Sequence, residues 1–345
     1  MRMSHLKYLV CPECKGELNC SSTLCRDNTD VVDGTLTCNT CAANYPIVRS
    51  IPRFVPLDNY ASGFGFEWNR HARTQYDSYS GLNLSETRFF NETKWPRDLK
   101  GEVIVEIGSG SGRFTEQAAS TGAMIVSMDY SSAVDANYAS NGSRPNVLIV
   151  QADLYKPPFG LGSFDRLFCF GVLQHTPDVA RAVKLLPTYV KPNGSLAFDV
   201  YRKAKALARF TPSVRWLAPV ARMLPHRRLY SICAAYVELV WPVAAIWSKS
   251  HYARTLLDHV FALPNYRGVY DLSDALLKEW AVLDLFDDIS PVYTNRQTIE
   301  KARSWLEEAA LANIEVQRGY NGIECRAVRT AGAGFPLPGA QLPQE

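Results

Sequence analysis

A doubly wound α/β sheet of Rossmann-like topology, preceded by a small metal-binding head, is the fold class that the sequence predicts. Three observations predict it. Five apolar runs of strand length recur between Val103 and Tyr201, with helical stretches between most of them. A Gly-rich loop follows the first run directly, and a helix follows the loop. Two Cys-x-x-Cys pairs precede all of this, one at Cys11 and Cys14, the other at Cys38 and Cys41.

The head occupies residues 1–57. A Cys-x-x-Cys pair puts two thiolates on one tight turn, and two such knuckles close the tetrahedral four-cysteine site that zinc prefers. The 23 residues between Cys14 and Cys38 leave room for a β-hairpin, in which Cys20 and Cys25 lack knuckle spacing and stay free. Four thiolates leave no open position for water, so the zinc is expected to hold the head together and do no chemistry. Residues 58–100 follow; within them Tyr60–Tyr79 is rich in aromatics and arginine and suits a lid.

The body starts at residue 101. Val103–Ile107, Ala123–Asp129, Asn146–Asp153, Phe164–Gly171 and Ser195–Tyr201 read as buried parallel strands, with a helix starting near Arg113. Residues 202–290 interrupt the alternation as a helical insertion. Thr298–Ala312 has the apolar period of an amphipathic helix. NIEVQRG and GIECRAV, joined by a turn at Asn321 and Gly322, read as a closing hairpin, which makes seven strands with an antiparallel last one. Residues 331–345 are Gly- and Pro-rich and expected to be disordered.

Composition narrows the function classes. With 47% hydrophobic and 21% charged residues, the 345-residue chain is neither disordered nor fibrous. Lys and Arg number 37 against 34 acids, a net +3 too small to imply nucleic-acid binding by charge alone. Nine cysteines are too few for a disulfide scaffold, and the N-terminus lacks the apolar run of a signal peptide, so a cytoplasmic location is expected. The best membrane-span candidate, Leu229–Trp247, carries Glu238 at its middle and Pro242 breaking its later half, both costly in lipid.

The loop Glu106-Ile-Gly108-Ser109-Gly110-Ser111-Gly112 is Gly-x-Gly-x-Gly with an acid two residues before it, unlike the Gly-x-Gly-x-x-Gly of a dinucleotide site. Asp129, 17 residues after Gly112, ends the second strand, where a carboxylate can bind both hydroxyls of a ribose. Asp153 ends the third strand beside Leu154; either aspartate taken singly can instead cap the next helix. From about residue 101 to 330 these motifs resemble class I S-adenosylmethionine-dependent methyltransferases. The resemblance implies S-adenosylmethionine as cofactor, with Gly108, Ser109 and Gly110 against its methionine part, Asp129 at its ribose, Asp153 and Leu154 at its adenine, and Tyr130 among its contacts. Glu106 and Gly112 belong to the same loop motif, and Gly171-Val-Leu-Gln174-His175 matches the family segment that touches the methionine amine and faces the acceptor. Phe66 and Trp68 are read as donor contacts or as packing of the lid. CPECKGEL, GTLTCNTC and ANYPIVRSIPRF resemble the small zinc-ribbon proteins that activate RNA and protein methyltransferases, with Ser50 where those proteins have glycine.

Methyl transfer to a hydroxyl calls for a base. His175 is the first candidate, because it follows the fourth strand and its ordinary pKa suits neutral pH; a structural histidine is the alternative. Asp287 and Tyr293 are the other candidates. The whole chain, including FGFEWNRHARTQYDSY and GVLQHTPD, resembles bacterial methyltransferases associated with surface-polysaccharide and secondary-metabolite pathways. That implies O-methylation of a sugar, a glycan or a small metabolite. The other readings are an RNA or protein methyltransferase that docks substrate on its ribbon, and a non-catalytic donor-binding scaffold. No Asn-Pro-Pro-Tyr or Asp-Pro-Pro-Tyr follows the fourth strand, which argues against amide or adenine N-methylation. Between Arg202 and Arg228 lie eight Lys or Arg and no acid, interleaved with Phe210, Trp216, Leu217, Met223 and Leu224. Such a stretch suits the face of a membrane or a lipid-linked or phosphate-bearing glycan, with Leu229–Trp247 lining a tunnel. RNA is a lesser alternative for it, and a helical cap with a solvated basic face is the bland one.

Overall fold

The computed structural model describes residues 1–26, 30–56, 58–203, 214–247, 250, 252–253, 255, 260–261 and 263–331. The tail expected to be disordered, from residue 332 on, and Phe210 of the basic stretch lie outside them.

In the head, β1 (Leu18–Arg26), β2 (Asp30–Cys38), β3 (Asn44–Val48) and β4 (Ile51–Pro52) form one antiparallel sheet in chain order. Leu18, Val31, Leu36 and Ile47 are buried in an apolar cluster that continues into Val150 and Phe159 of the body. Ser50 has φ 67°, so a serine occupies the left-handed conformation that glycine adopts at lower cost. The head lies along an edge of the body sheet. Phe54 N–H donates to the Gln151 carbonyl at 2.8 Å, and the Arg53 guanidinium donates to Gln151 Oε1 at 2.9 Å and Asp135 Oδ1 at 2.8 Å. An edge strand that would otherwise offer unpaired backbone groups is thereby covered.

Three helices lead into the body, α1 (Ser62–Arg70), α2 (Asp77–Ser80) and α3 (Leu84–Thr93). The body strands are β5 (Val103–Ile107), β6 (Met124–Asp129), β7 (Val147–Gln151), β8 (Phe164–Cys169), β9 (Val190–Val200), β10 (Ala312–Gly319) and β11 (Gly322–Val328). Their order is β10-β11-β9-β8-β5-β6-β7, parallel from β9 through β7, with β11 antiparallel to both neighbours. β5 and β6 are nearly continuous runs of buried Val, Ile and Met because helices cover both faces. Those helices include α4 (Arg113–Ser120), α5 (Val134–Asn141) and α6 (Val179–Tyr189). The insertion contributes α7 (Ala218–Ala221), α8 (His226–Trp247) and α9 (Asp274–Ile289), which share a separate apolar core, and α10 (Ile299–Glu308) precedes the hairpin.

Several boundaries differ from the sequence expectation. The hairpin turn is Tyr320-Asn321, and Gly322 already opens β11. Gly322 pairs with Gly319 in the ladder, and the position takes glycine because a Cβ there would meet the Val200 carbonyl oxygen at 2.6 Å. The amphipathic helix ends at Glu308, and Ala312 opens β10 instead. Pro242 does not break α8: the helix runs through it, held by the buried stripe Leu229, Cys233, Val237, Trp241 and Ala244, whose packing outweighs one lost backbone hydrogen bond. No helix among the described residues is long and apolar enough to cross a membrane.

Candidate active site and zinc ribbon

Outside the carboxyl ends of β5 to β9 lies a cavity of about 250 Å³, where an open α/β sheet places ligands. Its floor is the loop after β5. The N–H groups of Gly108 and Ser109 donate to the Met128 carbonyl at 2.7 and 3.0 Å, which ties the loop to the end of β6. Gly108 has φ 77°, and a Cβ there would stand 2.2 Å from Val172 Cγ2, so only glycine fits between the loop and the segment after β8. Gly110 N–H donates to Asp129 Oδ2 at 2.8 Å, and Ser131 donates to Oδ1 through N–H (2.8 Å) and Oγ (2.7 Å). Burial pushes the Asp129 carboxyl above its ordinary value, and these bonds oppose the push.

Gly108, Ser109, Gly110, Asp129, Tyr130 and Leu154 all line the cavity, as do Trp68 and Gly171. Other expected donor contacts do not. Glu106 points beneath the loop, where Ser127 Oγ donates to it at 2.7 Å and Thr115 Oγ1 donates as well. Burial raises its pKa to about 7, and it braces the loop from below, outside the cavity lining. Gly112 starts α4 with φ 93° against Asn137, where a Cβ would lie 2.1 Å from Oδ1. Asp153 stands two residues beyond β7, and its carboxylate accepts from Tyr155 N–H at 2.8 Å, a local turn cap; its neighbours Ala152 and Leu154 form the wall. Gln174 is fully buried away from the lining, and Phe66 packs into the insertion core against Tyr230 and Phe286.

The candidate bases also separate. His175 lines the cavity, but its Nδ1–H donates to the Tyr293 carbonyl at 3.0 Å, and burial lowers its pKa to about 4. It is neutral throughout the physiological range and a weak base, contrary to the expectation of a pKa suited to neutral pH. Tyr293 is absent from the lining and acts through that carbonyl. Asp287 lines the cavity, within 3.5 Å of the Tyr201 hydroxyl, and burial together with Asp288 and Asp284 raises its pKa to about 7.

Sequence reasoning missed much of the remaining wall. Tyr60, Phe64 and Gln75 come from the lid segment, and Tyr201 from the end of β9. Trp280 and Asp284 lie on α9 at the helical spacing that ends in Asp287, and Tyr320 comes from the hairpin turn. Helical periodicity would have put those three α9 residues on one face. Arg88 also lines the cavity, ion-paired with Glu92 and Asp199.

In the head, the Sγ atoms of Cys11, Cys14, Cys38 and Cys41 all lie within 4.8 Å of one another. Cys38 Sγ accepts from the N–H groups of Thr40 (3.4 Å) and Cys41 (3.5 Å), the backbone donation that steadies a thiolate on a knuckle. The donor set fits a closed tetrahedral zinc site. Cys20 and Cys25, on β1, stand outside it.

Residues 105–198 match the methyltransferase domain family, and residues 4–50 match the Trm112p-like protein family. The chain carries a methyltransferase domain behind a Trm112p-like zinc ribbon. Its sheet is the class I S-adenosylmethionine-dependent methyltransferase fold, and the cofactors that go with the two domains are S-adenosylmethionine and structural zinc. Among curated relatives, the ubiquinone biosynthesis O-methyltransferase of Ralstonia nicotianae is 32% identical over 31% of this chain and 47% of its own length. The enzyme of the same name from Xanthomonas oryzae pv. oryzae is 27% identical over 37% of this chain and 54% of its own length. The chain thus spans about half the length of the curated relatives it matches. Among solved structures, the complex of the Haloferax volcanii Trm112 methyltransferase activator with a methyltransferase covers 77% of this chain and 97% of that one, at 12% identity and TM-score 0.42. An O-methyltransferase family protein from Burkholderia thailandensis covers 72% of this chain and 57% of its own at 10% identity and TM-score 0.42.

Proposed function

We propose that the protein is an S-adenosylmethionine-dependent O-methyltransferase acting on a ring-bearing hydroxyl compound, with Asp287 as general base. One observation carries the reading: a single cavity joins the Gly108–Gly110 loop and Asp129 to a compartment walled by Tyr201, Tyr266, Trp280 and Tyr320 and holding Asp287. Aromatic walls favour a flat or ring-shaped acceptor. The relatives' names, in ubiquinone biosynthesis, favour an aromatic ring over the sugar or glycan expected from sequence.

S-adenosylmethionine, when bound, supplies a methyl carbon activated by its sulfonium. The chain's own residues do the rest. Asp129 accepts from the ribose hydroxyls, and the Gly-rich loop lets backbone approach the methionine part. Tyr60, Phe64 and Trp68, from the segment ahead of the sheet, exclude water above the cavity. The acceptor's hydroxyl proton would pass to Asp287, whose pKa of about 7 suits that task near neutral pH. The Tyr201 hydroxyl steadies the carboxylate.

The division into a ribbon (1–57), a lid region (58–100) and a methyltransferase domain (101–330) with an insertion at 202–290 belongs to the same reading. So does a cytoplasmic location. The test is transfer from methyl-labelled S-adenosylmethionine into cell extract separated into small-molecule, lipid, glycan, RNA and protein pools. Label in the small-molecule or lipid pool supports the reading, and label in the glycan pool restores the sugar acceptor. Label in RNA or protein would make the ribbon a substrate-docking module and overturn it.

A further inference from the structure

The insertion has two sides of unequal chemistry. Its inner side is closed: Ala218 and Ala221 of α7 and the buried stripe of α8 pack in one core with Leu277, Ala281 and Leu285 of α9, the helix that carries Asp284 and Asp287 to the cavity. Its outer side carries apolar groups in water. Leu217, Val220 and Met223 are 61%, 66% and 83% exposed, and Trp216 beside them is 58% exposed. On α8, Ile232, Leu239 and Val243 are exposed on the face opposite the buried stripe, joined there by Ala235 and Pro242. A helix apolar on both faces is ordinarily covered on both.

Charge says what covers this one. Arg222, Arg227 and Arg228 are all exposed beside the apolar groups. Glu238 is the one acid in residues 214–247, and Lys278 Nζ pairs with it at 2.7 Å. The outer side is therefore apolar, with a rim of arginines that pair with no acid among the described residues. No helix among the described residues is long and apolar enough to cross a bilayer. A tryptophan, scattered aliphatics and arginines on one surface suit the headgroup boundary of an anionic membrane.

We propose that the outer face of α7 and α8, with Trp216 and Leu217 ahead of them, docks the protein on an anionic lipid surface. Trp216, Met223, Ile232 and Leu239 enter the headgroup region, and Arg222, Arg227 and Arg228 meet the lipid phosphates. Docking is peripheral, and it sets the other side of the same helical layer, with Asp284 and Asp287, one helix away from the bilayer. The proposal stands on surface chemistry and does not depend on the activity proposed for the cavity.

The test is co-sedimentation of the full chain with vesicles of phosphatidylcholine alone and of phosphatidylcholine with phosphatidylglycerol. Binding is expected to the anionic vesicles and to weaken with added salt. An arginine near such a surface contributes about a fivefold gain, so reversing Arg222, Arg227 and Arg228 to Glu together lowers binding by about a hundredfold or more. Ile232→Glu with Leu239→Glu removes the part that survives high salt. Unchanged binding of S-adenosylhomocysteine shows that each variant is folded, because none of these residues lines the cavity. Equal pelleting with both vesicle types, or no pelleting with either, overturns the proposal. So does a dimer that Leu239→Glu converts to monomer, since a second copy would then be what covers the face.

Discussion

Replacing Asp287 with Asn should make the protein more stable and nearly inactive, and the pH dependence of the first effect is the sharper test. Burial and the nearby Asp288 and Asp284 raise the Asp287 carboxyl from its ordinary 3.8 to about 7. Below the ordinary value the carboxyl is protonated in both the folded and the unfolded chain, and it costs nothing. Between about 4 and 7 the folded state keeps a proton that the unfolded state has lost, so stability falls as pH rises. Above 7 the penalty is complete, ~4 kcal/mol at most for a rise of this size. Asparagine keeps the shape and the contact with Tyr201 without the charge. Thermal melts from pH 4 to pH 9 should therefore show Asp287→Asn gaining on the native chain up to pH 7, by up to about 6 °C, and levelling off beyond. Turnover of the native protein should rise through pH 7 as Asp287 ionises, and the variant should lack that limb. A stability difference independent of pH would refute the account of Asp287 as a strained buried carboxylate, and with it the assignment of the base.

Asp129→Ala should weaken S-adenosylhomocysteine binding by about 10²–10⁴-fold in calorimetry, from two charge-assisted ribose hydrogen bonds lost; unchanged affinity would mean that the ribose lies elsewhere. Gly108→Ala should displace the loop and lower the same affinity, and Val172→Ala should restore part of it, because the clash is with that side chain at 2.2 Å; independent, additive effects would contradict the close approach. His175→Ala should cost turnover without moving the pH profile, since His175, with a pKa of about 4, is already neutral there. A profile that shifts would return His175 to the role of base. Stripping metal with a chelator should lower the melting temperature by roughly 10 °C or more and release one zinc per chain by elemental analysis. A metal-free protein with an unchanged melt would remove zinc from the ribbon.

The strands of the body were legible because each is a short run of buried apolar residues between helices, a pattern that burial on both faces enforces. Strand ends were less so. Gly322 reads as a turn residue but pairs with Gly319 in β11, and its glycine answers to the Val200 carbonyl beside it, a contact between segments more than a hundred residues apart. The loop and Asp129 could be read because their chemistry is local to strand ends. Glu106 could not, since a residue two before a glycine loop can point above it or below, and the hydroxyls of Thr115 and Ser127 draw it below. His175 was read from an isolated imidazole's pKa, which burial lowers to about 4. Asp287 was named among the candidates, but its helix-mates Trp280 and Asp284 were passed over although their spacing on α9 lay open in the sequence.

The fusion of ribbon and methyltransferase domain has a physical consequence that neither domain has alone. β7 is an edge of the body sheet, and its last residue, Gln151, is where the ribbon grips: its carbonyl accepts from Phe54 N–H, and its Oε1 accepts from Arg53. The same Gln151 donates through Nε2 to the Tyr130 carbonyl at 3.1 Å, and Asn59 Nδ2, just past the ribbon, donates to that carbonyl at 3.0 Å. Tyr130 lines the cavity, and its ring packs on Tyr60 at 4.9 Å, so the zinc-held ribbon, the edge strand and the lid meet at one backbone carbonyl beside Asp129. A ribbon that loosened without its metal would leave Gln151 with unmet hydrogen bonds in a buried position, and the cost would fall on the segment that carries the ribose site. Zinc on four cysteines with no open coordination position would thus reach the cavity through one buried glutamine rather than through any chemistry of the metal.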